Sequence, residues 1–123
     1  PIYDYATHTR AKDTVRLESR PLLILEGLFA LWAEEIRNHA AVRVYIDLSH
    51  EACLARRIAR DALERARTEE QVREQFLRHV QPMAEKYILP TRAHADLVVR
   101  GDGLLSASVT RIVEFLERTG AGR

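Results

Sequence analysis

Three short apolar runs decide what this chain can fold into. Pro21–Glu26, P-L-L-I-L-E, is leucine-rich and has no polar alternation before its end, the mark of a strand covered on both faces. Ala41–Leu48 and Asp96–Arg100 read as a second and a third strand, and segments with helical spacing lie between the three. Strands this far apart cannot be joined by tight turns, so the order predicts an α/β fold, a parallel sheet with right-handed helical crossovers. Three short parallel strands make a poor complete sheet, and further strands are expected ahead of Pro1.

Local signals fill in the rest. Residues 1–20 alternate polar and apolar side chains around a turn-like Ala11–Asp13, which fits a hairpin or an extended arm. Leu28–His39 has helical spacing. Ser49 is placed to cap the next helix, with Glu51 in its first turn. Thr68 and Gln71 form a capping-box pattern for a third helix, whose apolar stripe is Val72, Phe76 and Val80, with Leu77 beside it. Pro82 either kinks this helix or starts a new one. Met83 and Tyr87 continue the buried side until Pro90. Gly101 and Gly103 break the third strand. A last helix puts Val109, Ile112, Val113 and Leu116 on one face and stops at Gly120.

The 123 residues suffice for one domain, and 46% hydrophobic content argues against disorder. No run approaches a membrane span and no signal peptide is evident. A formal net charge of +1 is too small for a general nucleic-acid binder. Cys53, the single cysteine, excludes an internal disulfide, reads as a small buried hydrophobe and suits the reducing cytoplasm. Positive charge is instead concentrated in Cys53–Arg67. There Leu54 and Ile58 share one helix face, Arg56, Arg57 and Arg60 cover a neighbouring one, and Arg65 and Arg67 fall where the helix ends. The guanidinium fork suits phosphate oxygens, which points to a polyphosphate partner. Against that stands a solvated helix on which Asp61 and Glu64 merely pair with neighbours.

P-I-Y-D-Y-A-T-H-T-R at 1–10 resembles the substrate hairpin of uridine kinases, which are P-loop nucleoside kinases. L-I-L-E-G at 23–27 is similar to their acidic strand end and V-Y-I-D at 44–47 to their next strand. R-R-I-A-R-D-x-x-E-R-x-R at 56–67 resembles their lid. Q-F at 75–76, V-Q-P-M at 80–83 and P-T-R-A-H-A-D-L-V-V at 90–99 resemble the elements that follow. Phosphoribulokinases share the scaffold but not the Y-D-Y-x-x-H-T-R run. The resemblance implies a partial P-loop NTPase-like, three-layer α/β fold of nucleoside and nucleotide kinases. It would comprise a parallel sheet with flanking helices, an N-terminal β-hairpin in 1–20 and an Arg-rich lid at 53–68. The G-x-x-x-x-G-K-S phosphate loop is absent from 1–123, so the chain is expected to be the C-terminal part of such a domain, inactive alone. Ala66 stands where the family's lid has glycine.

The resemblance also implies roles. Arg60 and Arg65 would reach the phosphates as catalytic lid arginines, and Glu26 would face Mg²⁺. Tyr3, Tyr5 and His8 would surround the pyrimidine, Arg57, Arg67 and Gln75 would contact the nucleoside, and Asp102 would lie near the base of the nucleotide cofactor. The implied reaction moves the γ-phosphoryl of ATP (or GTP) to the 5′-hydroxyl of uridine or cytidine, with Mg²⁺ as cofactor. No nucleic-acid or membrane partner is expected, and the family's habit implies a homo-oligomer. Two readings compete with it, a non-catalytic nucleotide- or nucleoside-binding module and a small basic-helix protein that binds RNA or an acidic partner. The five histidines have no paired ligand spacing, and all but His8 read as surface residues.

Overall fold

The computed structural model describes residues 2–4, 9–16, 18, 20–65 and 67–120. β1 (Tyr3–Asp4) and β2 (Thr9–Arg10) pair antiparallel, so the arm is a hairpin. β2 ends at Arg10, and a bend lies at Lys12, within the expected turn-like Ala11–Asp13. Ala11 N–H donates to Ile2 O (2.9 Å) and Ile2 N–H to Asp13 O (3.4 Å), which holds residues 11–13 beside the residue that leads into β1.

The expected strand at Pro21–Glu26 is corrected. The segment pairs with no other strand among the described residues, and Leu22, Leu23, Ile24 and Leu25 are 55%, 77%, 81% and 60% exposed. Its composition is that of a covered strand, but no neighbour is present to take up its ladder or its side chains. The helix expected at Leu28–His39 is also shorter. Turns run through Leu28–Trp32, and α1 covers Glu34–His39. The Arg37 guanidinium donates to the carbonyls of Leu31 (2.8 Å) and Trp32 (2.6 Å), serving backbone groups outside the helix. What remains helical has acids in its first turn and Arg37 and His39 in its last, as the helix dipole favours.

β3 (Val44–Asp47) and β4 (Leu97–Arg100) form a parallel pair in the register Val44–Leu97 to Asp47–Arg100. Helices flank the pair, and the chain is α/β. Asp96 clamps the entry to both strands. Its carboxylate accepts from Arg43 N–H (2.8 Å), Nε (3.0 Å) and Nη2 (2.6 Å). Between the strands come α2 (His50–Glu64) and α3 (Glu69–Gln75), then a π-helical turn at Phe76–Val80, α4 (Gln81–Tyr87) and a 3₁₀ turn at Leu89–His94. Ser49 Oγ accepts from Ala52 N–H, and the Thr68–Gln71 capping box is complete. α5 (Leu105–Thr119) ends at Gly120, whose φ of 69° is the left-handed cap that glycine adopts without strain.

The π-turn has a local cause. Pro82 has no N–H for the Arg78 carbonyl, and Gln81 N–H donates five residues back to Phe76 O. The extra residue turns the following face. Val72 and Phe76 are buried against Leu54, with Cys53, Ile58 and Val80 packed around them. Met83, expected to continue that side, is 57% exposed and looks into an open cavity. Val109 and Val113 of α5 stay about half exposed because little packs on that face. Among the described residues no helix is long and apolar enough to cross a membrane.

Candidate functional site

α2 carries the site because its apolar stripe anchors it. Leu54 and Ile58 pack towards Val72 and Phe76, which fixes the rotation of α2 against α3. The next position on that stripe, seven residues beyond Leu54, is Asp61. It is 0% exposed.

Three guanidiniums converge on this carboxylate. Arg60 donates through Nε (2.9 Å) and Nη2 (2.8 Å) to Oδ1, and Arg65 Nη1 lies 3.4 Å from the same oxygen. Arg57 Nε stands 3.6 Å from Oδ2, too far for a hydrogen bond, and neither atom has another partner among the described residues. The Asp61 backbone carbonyl also accepts from the N–H groups of Arg65 and Arg67, which closes the end of α2. Desolvation pushes the Asp61 carboxyl upward, but the Arg60 hydrogen bonds and the charges of Arg60, Arg65 and Arg57 outweigh it. The group is held below the ordinary carboxylate range. Two guanidiniums roughly 5 Å apart repel by about 3 kcal/mol at an effective dielectric near 20, so a shared carboxylate is what allows them to gather.

A second clasp joins α2 to α3. Gln75 Oε1 accepts from Arg57 Nη2 (3.1 Å) and from Arg67 Nη1 (2.9 Å). The three residues that the resemblance assigned to nucleoside contact therefore meet through one amide oxygen.

Glu26, Arg56, Arg57 and Arg60 line one open cavity of about 1360 Å³. Its remaining wall is largely apolar and includes Phe29, Trp32, Tyr45, Phe76 and Met83. Glu26 has no ion-pair partner among the described residues, which leaves its carboxylate available to a cation in the cavity. No three His, Cys, Asp or Glu side chains gather into a metal cage among those residues. A Mg²⁺ ion held by one carboxylate, waters and substrate phosphates needs no such cage, and Glu26 fits that use.

Other expected residues lie elsewhere. Tyr3 is exposed on β1 and does not line the cavity. Tyr5, His8 and Ala66 fall outside the described residues. Asp102 pairs with Arg100 through two bonds of 2.9 and 2.7 Å, and the hydrogen bond from Arg100 lowers its pKa. Its loop is tied to the arginine helix, because Arg56 Nη2 donates to Gly101 O (2.7 Å). A side chain at Gly101 would meet Ile46 Cγ2 at 3.0 Å, so the loop lies close on β3. His50, expected at the surface, is corrected. It is half-buried and lines the cavity, its ring is edge-on to Phe76 at 6.4 Å, and its buried Nε2 has no hydrogen-bond partner among the described residues.

The sequence does carry a signal for Asp61. The residue interrupts the Leu54–Ile58 stripe and has arginines four residues to either side, the spacing that puts them on one helix face.

A model of the Phosphoribulokinase / Uridine kinase family matches residues 1–105. The chain belongs to this family. It is 38% identical over 122 residues to a protein named uridine kinase from Anoxybacillus flavithermus, covering 96% of this chain and 58% of that protein. To a uridine kinase from Staphylococcus epidermidis it is 41% identical over 103 residues, 84% of this chain and 50% of the other. To one from Clostridium novyi it is 34% identical over 118 residues, 96% and 57%. The chain spans between 50% and 58% of the length of these relatives.

Proposed function

We propose that this chain is the C-terminal part of a uridine kinase-like phosphotransferase. With a phosphate-loop half it moves the γ-phosphoryl of ATP or GTP to the 5′-hydroxyl of uridine or cytidine. The observation that carries the reading is that Glu26, Arg57 and Arg60 line one cavity while Gln75 ties Arg57 to Arg67. In this reading residues 53–68 are the lid, Arg60 and Arg65 reach the phosphates, and Arg57, Arg67 and Gln75 hold the nucleoside. The arm of residues 1–20, with Tyr3, Tyr5 and His8, closes over the base, and Asp102 lies near the base of the triphosphate. Mg²⁺ on the Glu26 side supplies charge neutralisation between the phosphates when bound. The arginines add positive charge where the transferring group develops negative charge, and lid closure excludes water.

The exposed surface supports a missing covering layer. The chain exposes 10335 Å², against about 6,700 Å² for a compact monomer of its mass. Much of the excess is apolar, including Leu22–Leu25, Leu28, Phe29 and Trp32. A phosphate-loop half laid on this side covers it and completes the sheet. A cytoplasmic location fits the single cysteine and the proposed reaction.

The test is nucleoside phosphorylation by the full-length protein and by residues 1–123 alone. Turnover of uridine or cytidine is expected in the first and none in the second. Nucleotide binding without turnover by the full-length protein would favour a non-catalytic module instead.

A further inference from the structure

We propose that Asp61 is the positioning residue of the arginine cluster, its buried carboxylate aiming the Arg60 guanidinium into the cavity while Gln75 separately orients Arg57 and Arg67. The inference rests on the phosphotransferase reading and names what holds its phosphate-side arginine in place.

Asp61 sits where the apolar stripe of α2 calls for a hydrophobic side chain. A carboxylate in that place is costly unless its partners are held firmly. Its bonds to Arg60 are not those that helix geometry offers freely. Side chains one residue apart point about 100° apart, so Arg60 reaches Asp61 only by laying its stem around the helix. The two bonds take one edge of the guanidinium, Nε and Nη2, and fix its plane. Nη1 lies outside that pair of bonds, and Arg60 lines the cavity.

The Arg57 side of the clasp is different. Asp61 Oδ2 and Arg57 Nε face each other at 3.6 Å without a hydrogen bond, whereas Arg57 Nη2 is bonded to Gln75. Asp61 therefore directs Arg60, with Arg65 close to the same oxygen, and Gln75 directs Arg57 and Arg67. The two halves of the cluster are separable.

The experiment is Asp61→Asn in the full-length protein, with kcat for uridine phosphorylation and the nucleoside Kd measured side by side. Asparagine keeps the size and loses the charge. The expected result is a fall in kcat of about tenfold or more with the nucleoside Kd changed by less than about threefold. In an Arg60→Ala background the same replacement is expected to lower kcat by a clearly smaller factor, because only Arg65 is left beside the carboxylate. Unchanged kcat, or equal losses in both backgrounds, would overturn the proposal. A purely structural role would move kcat and Kd together. A second measurement on the wild type covers a variant that does not fold. The Arg60 Nε–H nuclear magnetic resonance signal is expected to be sharp and slowly exchanging, as a guanidinium clamped by a buried carboxylate requires. A rapidly exchanging signal would overturn the proposal without any substitution. If the wild-type protein phosphorylates no nucleoside, the phosphotransferase reading fails, while this signal still decides the clasp.

Discussion

Replacing Val72 with alanine tests how the site is held. Val72 is 0% exposed and wedges α3 against Leu54 of α2, three residues before Gln75. The substitution deletes two methyl groups, a transfer loss of about 1.6 kcal/mol. A cavity of about 40 Å³ that cannot fully collapse adds about 1 kcal/mol. Alanine's better helix propensity returns roughly 0.5 kcal/mol, leaving a net loss of about 2 kcal/mol. For a full-length domain of roughly 200 residues that lowers Tm by about 6 °C. Leu77→Ala is the control, since Leu77 is 54% exposed and lies just beyond the stripe; its Tm is expected to stay within about 2 °C. The assay is thermal unfolding of the full-length protein by circular dichroism. Equal shifts for the two variants, or no shift for Val72→Ala, would refute the packing that brings Gln75 to Arg57 and Arg67.

Other outcomes are expected from the same geometry. Thr68→Ala removes half of the capping box and should cost about 1 kcal/mol in urea unfolding. The hydrogen bond from Arg43 first, then its charge, lowers the Asp96 pKa against desolvation, so the clamp stabilises above the unfolded carboxyl pKa of about 4 and is lost as pH falls through the depressed folded value. The Tm gap between wild type and Asp96→Asn should therefore be full at neutral pH and close in acid; a gap that widens in acid would contradict the assignment. Arg65→Ala in the full-length protein should lower turnover about tenfold or more with little change in nucleoside affinity, and unchanged turnover would remove Arg65 from the site.

What could be read from the sequence was mostly local. The caps at Ser49 and Thr68, the end of α2 near Arg65, and the strands at Val44–Asp47 and Leu97–Arg100 depend on residues close in the chain, and each was legible. The exposure of Pro21–Glu26 was not, because an apolar run shows that a strand would need neighbours but not whether they are there. The π-turn escaped because Pro82 announces a break but not whether the chain kinks, restarts or takes in an extra residue. Arg57, Arg67 and Gln75 were named by resemblance, yet their meeting at one oxygen depends on how α2 and α3 pack. Asp61 does not stand out in the sequence because a carboxylate among arginines usually marks a solvated face. Only its place on the Leu54–Ile58 stripe distinguishes it.

In the proposed function the arginines and Glu26 share one bound polyphosphate. The most direct measurement is a crystal structure of the full-length protein with ADP, Mg²⁺, a planar fluoride mimic of the transferring phosphoryl group and uridine. The account predicts an Arg60 or Arg65 nitrogen about 3 Å from the mimic, with Glu26 at the Mg²⁺ ion directly or through one water. A complex in which the mimic is bound, but no guanidinium from residues 56–67 approaches it and Glu26 lies away from the metal, would contradict the account.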